Sequence, residues 1–131
     1  MTVAVRSQVL AGDRVRWETI GLAVSLALAF AVRVHVAGIP RIVWGDEPFY
    51  LWLGQSLWAG QGYHFFGFSG AHMPPLFPAI AGGLAYLVGG LQEASEWVYI
   101  LAGVLLVLPL WAIARRLGGT LAGWATALAT A

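Results

Sequence analysis

Apolar residues in this chain come in long unbroken runs, and short polar stretches separate them. From Thr19 the sequence is apolar to Val32. It reaches Ile39 if Arg33 and His35 extend their polar ends to an interface, and the resulting run of about 20 residues predicts a transmembrane helix at 19–39. Gly38-Ile39-Pro40 ends it, because proline cannot donate to a continuing helical ladder. The second long run, 97–114, also has spanning length, with Pro109 as an expected kink. Gly118-Gly119 then predicts a turn at 115–119, followed by the start of a third helix at 120–131. Two shorter elements are expected between the spans. Asp46 suits an N-cap, and Glu47 with Pro48 suits a first turn, giving an aromatic-rich helix at 47–59 that lies at headgroup level and stops at Gly60. Pro74-Pro75 leads into an apolar helix at 75–88, where about 13 residues reach only ~20 Å against a hydrocarbon core of ~30 Å. That helix is expected to be interfacial or re-entrant. The stretch from Gln61 to Ala71, rich in glycine and aromatics, has no strict period and reads as a loop.

Charge fixes the expected orientation of these elements. All seven cations are arginine, and Arg6, Arg14 and Arg16 precede the first apolar run, so residues 1–18 read as a cytoplasmic flank. If 75–88 does not cross, 97–114 runs inward and delivers Arg115-Arg116 to the same side. Residues 40–96 then form an external loop carrying both short helices. A cleaved signal peptide is the rival for the first run, since Ala27-Leu28-Ala29 has small-x-small character, but the apolar sequence continues past it and further spans follow.

Composition agrees with a bilayer as solvent. Of 131 residues 60% are hydrophobic and only 10% charged, well above the apolar share of a soluble domain, and the expected fold class is an all-α integral membrane protein. A net charge of +1 argues against a nucleic-acid partner. The absence of cysteine excludes disulfides, thiolate chemistry and cysteine-based zinc sites. The apolar run continues to Ala131 without a polar stop, as expected of a piece of a longer multi-span protein.

The candidate chemistry sits in 40–96. Asp46-Glu47 places adjacent carboxylates beside a spanning segment, where ionisable groups are costly to hold and usually serve a function. A carboxylate there suits a general base for a hydroxyl nucleophile, and helix capping is the structural alternative. His72 stands before prolines that fix its direction. With Asp46, Glu47 and His64 it supplies oxygen and nitrogen donors of the type a divalent metal takes, though no spacing demands one. Arg33 and Arg41 flank the loop and suit a lipid phosphate or a headgroup. Tyr63 with Phe65, Phe66 and Phe68 suits sugar stacking or interfacial anchoring.

The order of motifs resembles the N-terminal part of polyprenol-phosphate-sugar-dependent glycosyltransferases of the GT-C superfamily, the group of the protein O-mannosyltransferases and lipid A aminoarabinose transferases (glycosyltransferase family 39). The motifs are Gly45-Asp46-Glu47-Pro48-Phe49-Tyr50, Gly60-Gln61-Gly62-Tyr63, His72-Met73-Pro74-Pro75-Leu76, Ser95-Glu96-Trp97 and Ala114-Arg115-Arg116-Leu117-Gly118. The resemblance covers nearly the whole chain and implies the opening quarter or so of such an enzyme. It implies an enzyme of the plasma (inner) membrane that moves a hexosyl or pentosyl group from a polyprenyl-phosphate donor to a protein or glycolipid acceptor on the external face. Asp46 would be the catalytic or substrate-positioning carboxylate, with Glu47 its acidic neighbour. His72, Arg41, Tyr50, Tyr63 and Pro75 would contact substrate. Relatives carry a Lys by the prolines or an Arg shortly after Ser-Glu-Trp, where this chain has Met73 and Ile100. Arg41, Arg33 or residues outside this sequence would therefore hold the phosphate. A transporter or flippase element that binds a proton or cation at the acidic pair, and a small structural membrane subunit, are the alternatives from other classes.

Overall fold

The computed structural model describes residues 3–42, 45–70 and 72–131, with side chains from Arg16 onward. Trp44, and the side chains of Arg6 and Arg14 in the expected cytoplasmic flank, lie outside the described residues. The chain is 77% helical, and among the described residues two helices are long and apolar enough to cross a membrane, which is compatible with an all-α membrane protein. Only 11% of the apolar window of each of those helices is buried within the chain. The chain divides into two compact units, 1–35 with 103–131, and 36–102.

The first unit is built from helix α1, Val3–Ala37, and most of helix α4, Leu91–Thr130. Helix α1 starts at Val3, not at the apolar boundary near Thr19. No proline interrupts 3–18, and helix propensity does not require an apolar run. Helix α4 is not one rod. Gly119 takes φ 79°, ψ −173°, a conformation open to glycine, and separates an arm at 91–118 from an arm at 120–130. In a continuous helix Trp111 and Gly123 would lie roughly 18 Å apart along the axis. Instead Gly123 faces the Trp111 indole and the Arg115 stem, so the chain has doubled back. Arg33 lies beside Gly103 and Glu18 pairs with Arg115, so the first arm runs antiparallel to α1. Trp124 lies on Gly21 and Arg33 reaches Thr130, so the second arm runs parallel to α1. Ala29, Val107 and Ala127 form the buried centre of this unit, where small side chains let the helices approach closely.

The second unit carries helix α2 (Glu47–Trp58), a hairpin of β1 (His64–Phe65) and β2 (Phe68–Ser69), helix α3 (Leu76–Val88) and the start of α4. Helices α2 and α3 touch backbone to backbone. A Cβ on Gly54 would come within 2.5 Å of the Pro78 carbonyl oxygen, and one on Gly82 within 2.5 Å of the Gly54 carbonyl oxygen. Trp58 fastens the contact, its Nε1 donating to the Ala79 carbonyl at 2.7 Å while its ring covers Gly83. The stretch expected to be a loop contains the antiparallel hairpin, with Phe65 opposite Phe68 and the turn at Phe66-Gly67. Both turn residues have positive φ, 46° and 82°, the requirement of a tight primed turn. Asparagine or aspartate is the usual first residue of such a turn. Phe66 gives no such signal, and strands this short show no alternation.

Candidate functional site

Asp46 occupies the N-cap position of α2, and its carbonyl accepts from the amides of Phe49 and Tyr50 at 3.1 and 3.2 Å. Its side chain does not cap the helix. An N-cap side chain reaches the free amides when its own backbone is extended, whereas Asp46 is already helical at φ −83°, ψ −8°. The expected capping bond is therefore absent. The carboxylate is exposed and makes no hydrogen bond or ion pair among the described residues.

Glu47 is engaged. Arg41 approaches it with both terminal nitrogens, Nη1 to Oε2 at 2.6 Å and Nη2 to Oε1 at 2.8 Å, the bidentate fork that suits guanidinium and carboxylate. The same guanidinium reaches Glu96 on α4 at 3.5 Å, and Gln92, one turn earlier, donates to Glu96 at 3.3 Å. Arg41 is held above its ordinary pKa, chiefly by the hydrogen bonds it donates to Glu47 and further by the charges of Glu47 and Glu96, against an opposing effect of burial. Glu47 is thus neutralised, while its neighbour Asp46 has no such partner among the described residues.

Aromatic side chains of α2, the hairpin, α3 and α4 pack on one another in the same unit, and Tyr99 lies within electrostatic reach of Glu47. Tyr50 meets Phe77 edge-on at 5.9 Å, and Phe77 lies 4.8 Å from Tyr99, which sits within electrostatic reach of Arg41. Phe49 and Trp52 pack on Phe65 at 4.5 and 6.0 Å, and Trp52 on Phe66 at 4.7 Å, so the hairpin is attached to one side of α2. The Tyr63 hydroxyl contacts the carbonyls of Met73 and Pro74, both at 3.4 Å, linking the hairpin to the proline-rich segment. Burial, and secondarily the charge of Tyr50, raises the pKa of Tyr63. Pro75 precedes α3 as its N-cap, and its carbonyl accepts from Ala79 at 3.0 Å.

Arg41, Glu47 and Tyr50 are therefore brought together, and Tyr63 lies within electrostatic reach of Tyr50. His72 is exposed and has no hydrogen-bond or ion-pair partner among the described residues. His64 is turned onto the Gln61 carbonyl through Nδ1 at 3.1 Å. Glu47 is committed to Arg41, and no group of three or more His, Asp or Glu gathers among the described residues. Arg33, expected as a phosphate holder, donates instead to the backbone carbonyls of Ala29, Thr130 and Ala131 at 3.1, 2.8 and 2.9 Å. A helical arginine flanked by apolar residues finds its acceptors in nearby carbonyls.

Sequence reasoning missed Glu96 and Gln92 as parts of this network. Glu96 enters the sequence reading only within the Ser95-Glu96-Trp97 motif, yet its spacing from Gln92 puts both on one helical face, a signal that was available. The chain matches no known protein family, and no characterised protein or solved structure is similar enough to be matched to it.

Proposed function

We propose that the chain is part of an integral membrane glycosyltransferase that moves a sugar from a polyprenyl-phosphate donor to an acceptor hydroxyl, with Asp46 as the base. The observation that carries this reading is the contrast inside Asp46-Glu47: one carboxylate is clamped by Arg41, and the other is exposed with no hydrogen-bond or ion-pair partner among the described residues. A free carboxylate can accept the acceptor hydroxyl's proton as its oxygen attacks the anomeric carbon, while the polyprenyl phosphate leaves with the bonding electron pair. Attack opposite the leaving group inverts the anomeric centre. Arg41, with Glu47 and Glu96 already on it, serves in this scheme as an organiser of the site. Phe65, Phe66 and Trp52 offer ring faces to a sugar. Residues 40–96 would face the external side and the N-terminus the cytoplasm, following the arginine bias.

The test is Asp46→Asn in the full-length gene product, assayed in membranes with a radiolabelled polyprenyl-phosphate sugar. Transfer is expected to fall about 100-fold or more, the scale of a lost general base. Transfer by the Asn variant at the wild-type rate excludes Asp46 as the base.

A further inference from the structure

Arg41 joins three stretches of the chain. It lies in the segment before α2, forks onto Glu47 in the first turn of α2, and reaches Glu96 in the second turn of α4 at 3.5 Å. Gln92 donates to the same Glu96 oxygen at 3.3 Å, which steadies that carboxylate on its helix. Arg41 is the only Lys or Arg between Arg33 and Arg115 in the sequence. The side chains of Glu47 and Glu96 are only 13% and 22% exposed, so both pairs are partly shielded from water and stronger than ion pairs on an open surface. The start of α2 needs such a fastening. The backbone contact that fixes this helix on α3 is at Gly54, roughly 12 Å along the axis from Asp46. Ring contacts from Tyr50 through Phe77 to Tyr99 hold the nearer turn but impose little direction. The fork on Glu47 does impose one, because guanidinium and carboxylate meet edge to edge in one plane.

We infer that Glu96 is a positioning residue for Asp46, acting through Arg41. Glu96 aims the guanidinium from α4, the guanidinium holds Glu47, and Glu47 fixes the first turn of α2, next to the Asp46 carboxylate. Arg41 is then a bridge inside the protein and not a ligand of the donor phosphate. Both of its terminal nitrogens already face carboxylates, and a phosphate would be a third anionic group on one cation. The consequence for catalysis rests on the sugar-transfer reading; the bridge itself does not.

Glu96→Gln, Arg41→Gln and the double variant are made in the full-length gene product. Each is assayed in membranes with a radiolabelled polyprenyl-phosphate sugar, and the unfolding midpoint of each is measured after purification. For Glu96→Gln, kcat is expected to fall about tenfold while KM for the donor stays within about twofold, well inside the cost of a ~1 Å misplacement at a reacting group. Arg41→Gln should lower kcat at least as much. Adding Glu96→Gln to Arg41→Gln should then cost nothing further, and the two midpoint shifts should likewise fail to add, because one residue acts through the other. A raised KM at unchanged kcat in Arg41→Gln would place Arg41 on the substrate and overturn the inference. Wild-type kcat in Glu96→Gln, or the full Glu96→Gln effect in the Arg41→Gln background, overturns it as well. If the wild-type protein transfers no sugar, the sugar-transfer reading fails by itself and the midpoints decide the bridge: shifts that add in the double variant exclude it.

Discussion

The two units treat their ionisable groups differently. In 1–35 with 103–131, the arginines inside the helical frame have been given work within the protein: Arg33 satisfies backbone carbonyls, and Arg115 holds Glu18 and covers Trp111. In 36–102 the pairing stops short. Arg41 takes Glu47 and reaches Glu96, yet Asp46 and His72 stand exposed with no partner among the described residues. Charge that the fold consumes explains itself as structure. Charge that the fold leaves over invites a functional explanation, and Asp46 is the clearest such surplus.

Substitutions that separate the units test this division. The largest effect is expected at the α2–α3 contact, where Gly54→Leu would drive a side chain into the Pro78 carbonyl. A loss of about 3 kcal/mol, at the upper end for overpacking, should unfold 36–102, read as a lowered unfolding midpoint in a detergent unfolding series. Arg115→Ala comes next. It strips Glu18 of its ion-pair partner among the described residues, and about 2 kcal/mol of stability should go, below the ~3–5 kcal/mol of a fully buried pair because Arg115 is 41% exposed. Its readout is the shift of the unfolding midpoint. The smallest effect belongs to Asp46→Ala. With no capping bond to lose, the midpoint should move by less than about 0.5 kcal/mol in equivalent stability. A drop near ~1 kcal/mol would return Asp46 to the role of a helix cap.

Much of the helical frame was legible because its signals are local. Pro40, Gly60, Pro75 and Gly89 bound the helices close to where a reader of the chain would bound them, and the Gly118-Gly119 pair marks the reversal in α4. What escaped notice depends on residues distant in sequence or on turn chemistry with no standard residue. Phe66 in a left-handed turn hid the hairpin, and the pairing of Arg41 with Glu96 becomes visible only once α4 is known to begin at Leu91. The candidate site was half legible. Asp46, Glu47, Arg41 and Tyr50 stand out as residue types in the chain, but which carboxylate the arginine would occupy depends on side-chain geometry. That choice leaves Asp46 as the free one.

Gly119 carries one further consequence. A side chain there would meet nothing within 4 Å, so the requirement for glycine is one of torsion and not of space. The reversal is therefore made with almost no connecting loop, and the angular phase of the returning arm is inherited from a single residue. One residue inserted between Thr120 and Trp124 would turn every following side chain by about 100°, taking the Trp124 indole off Gly21.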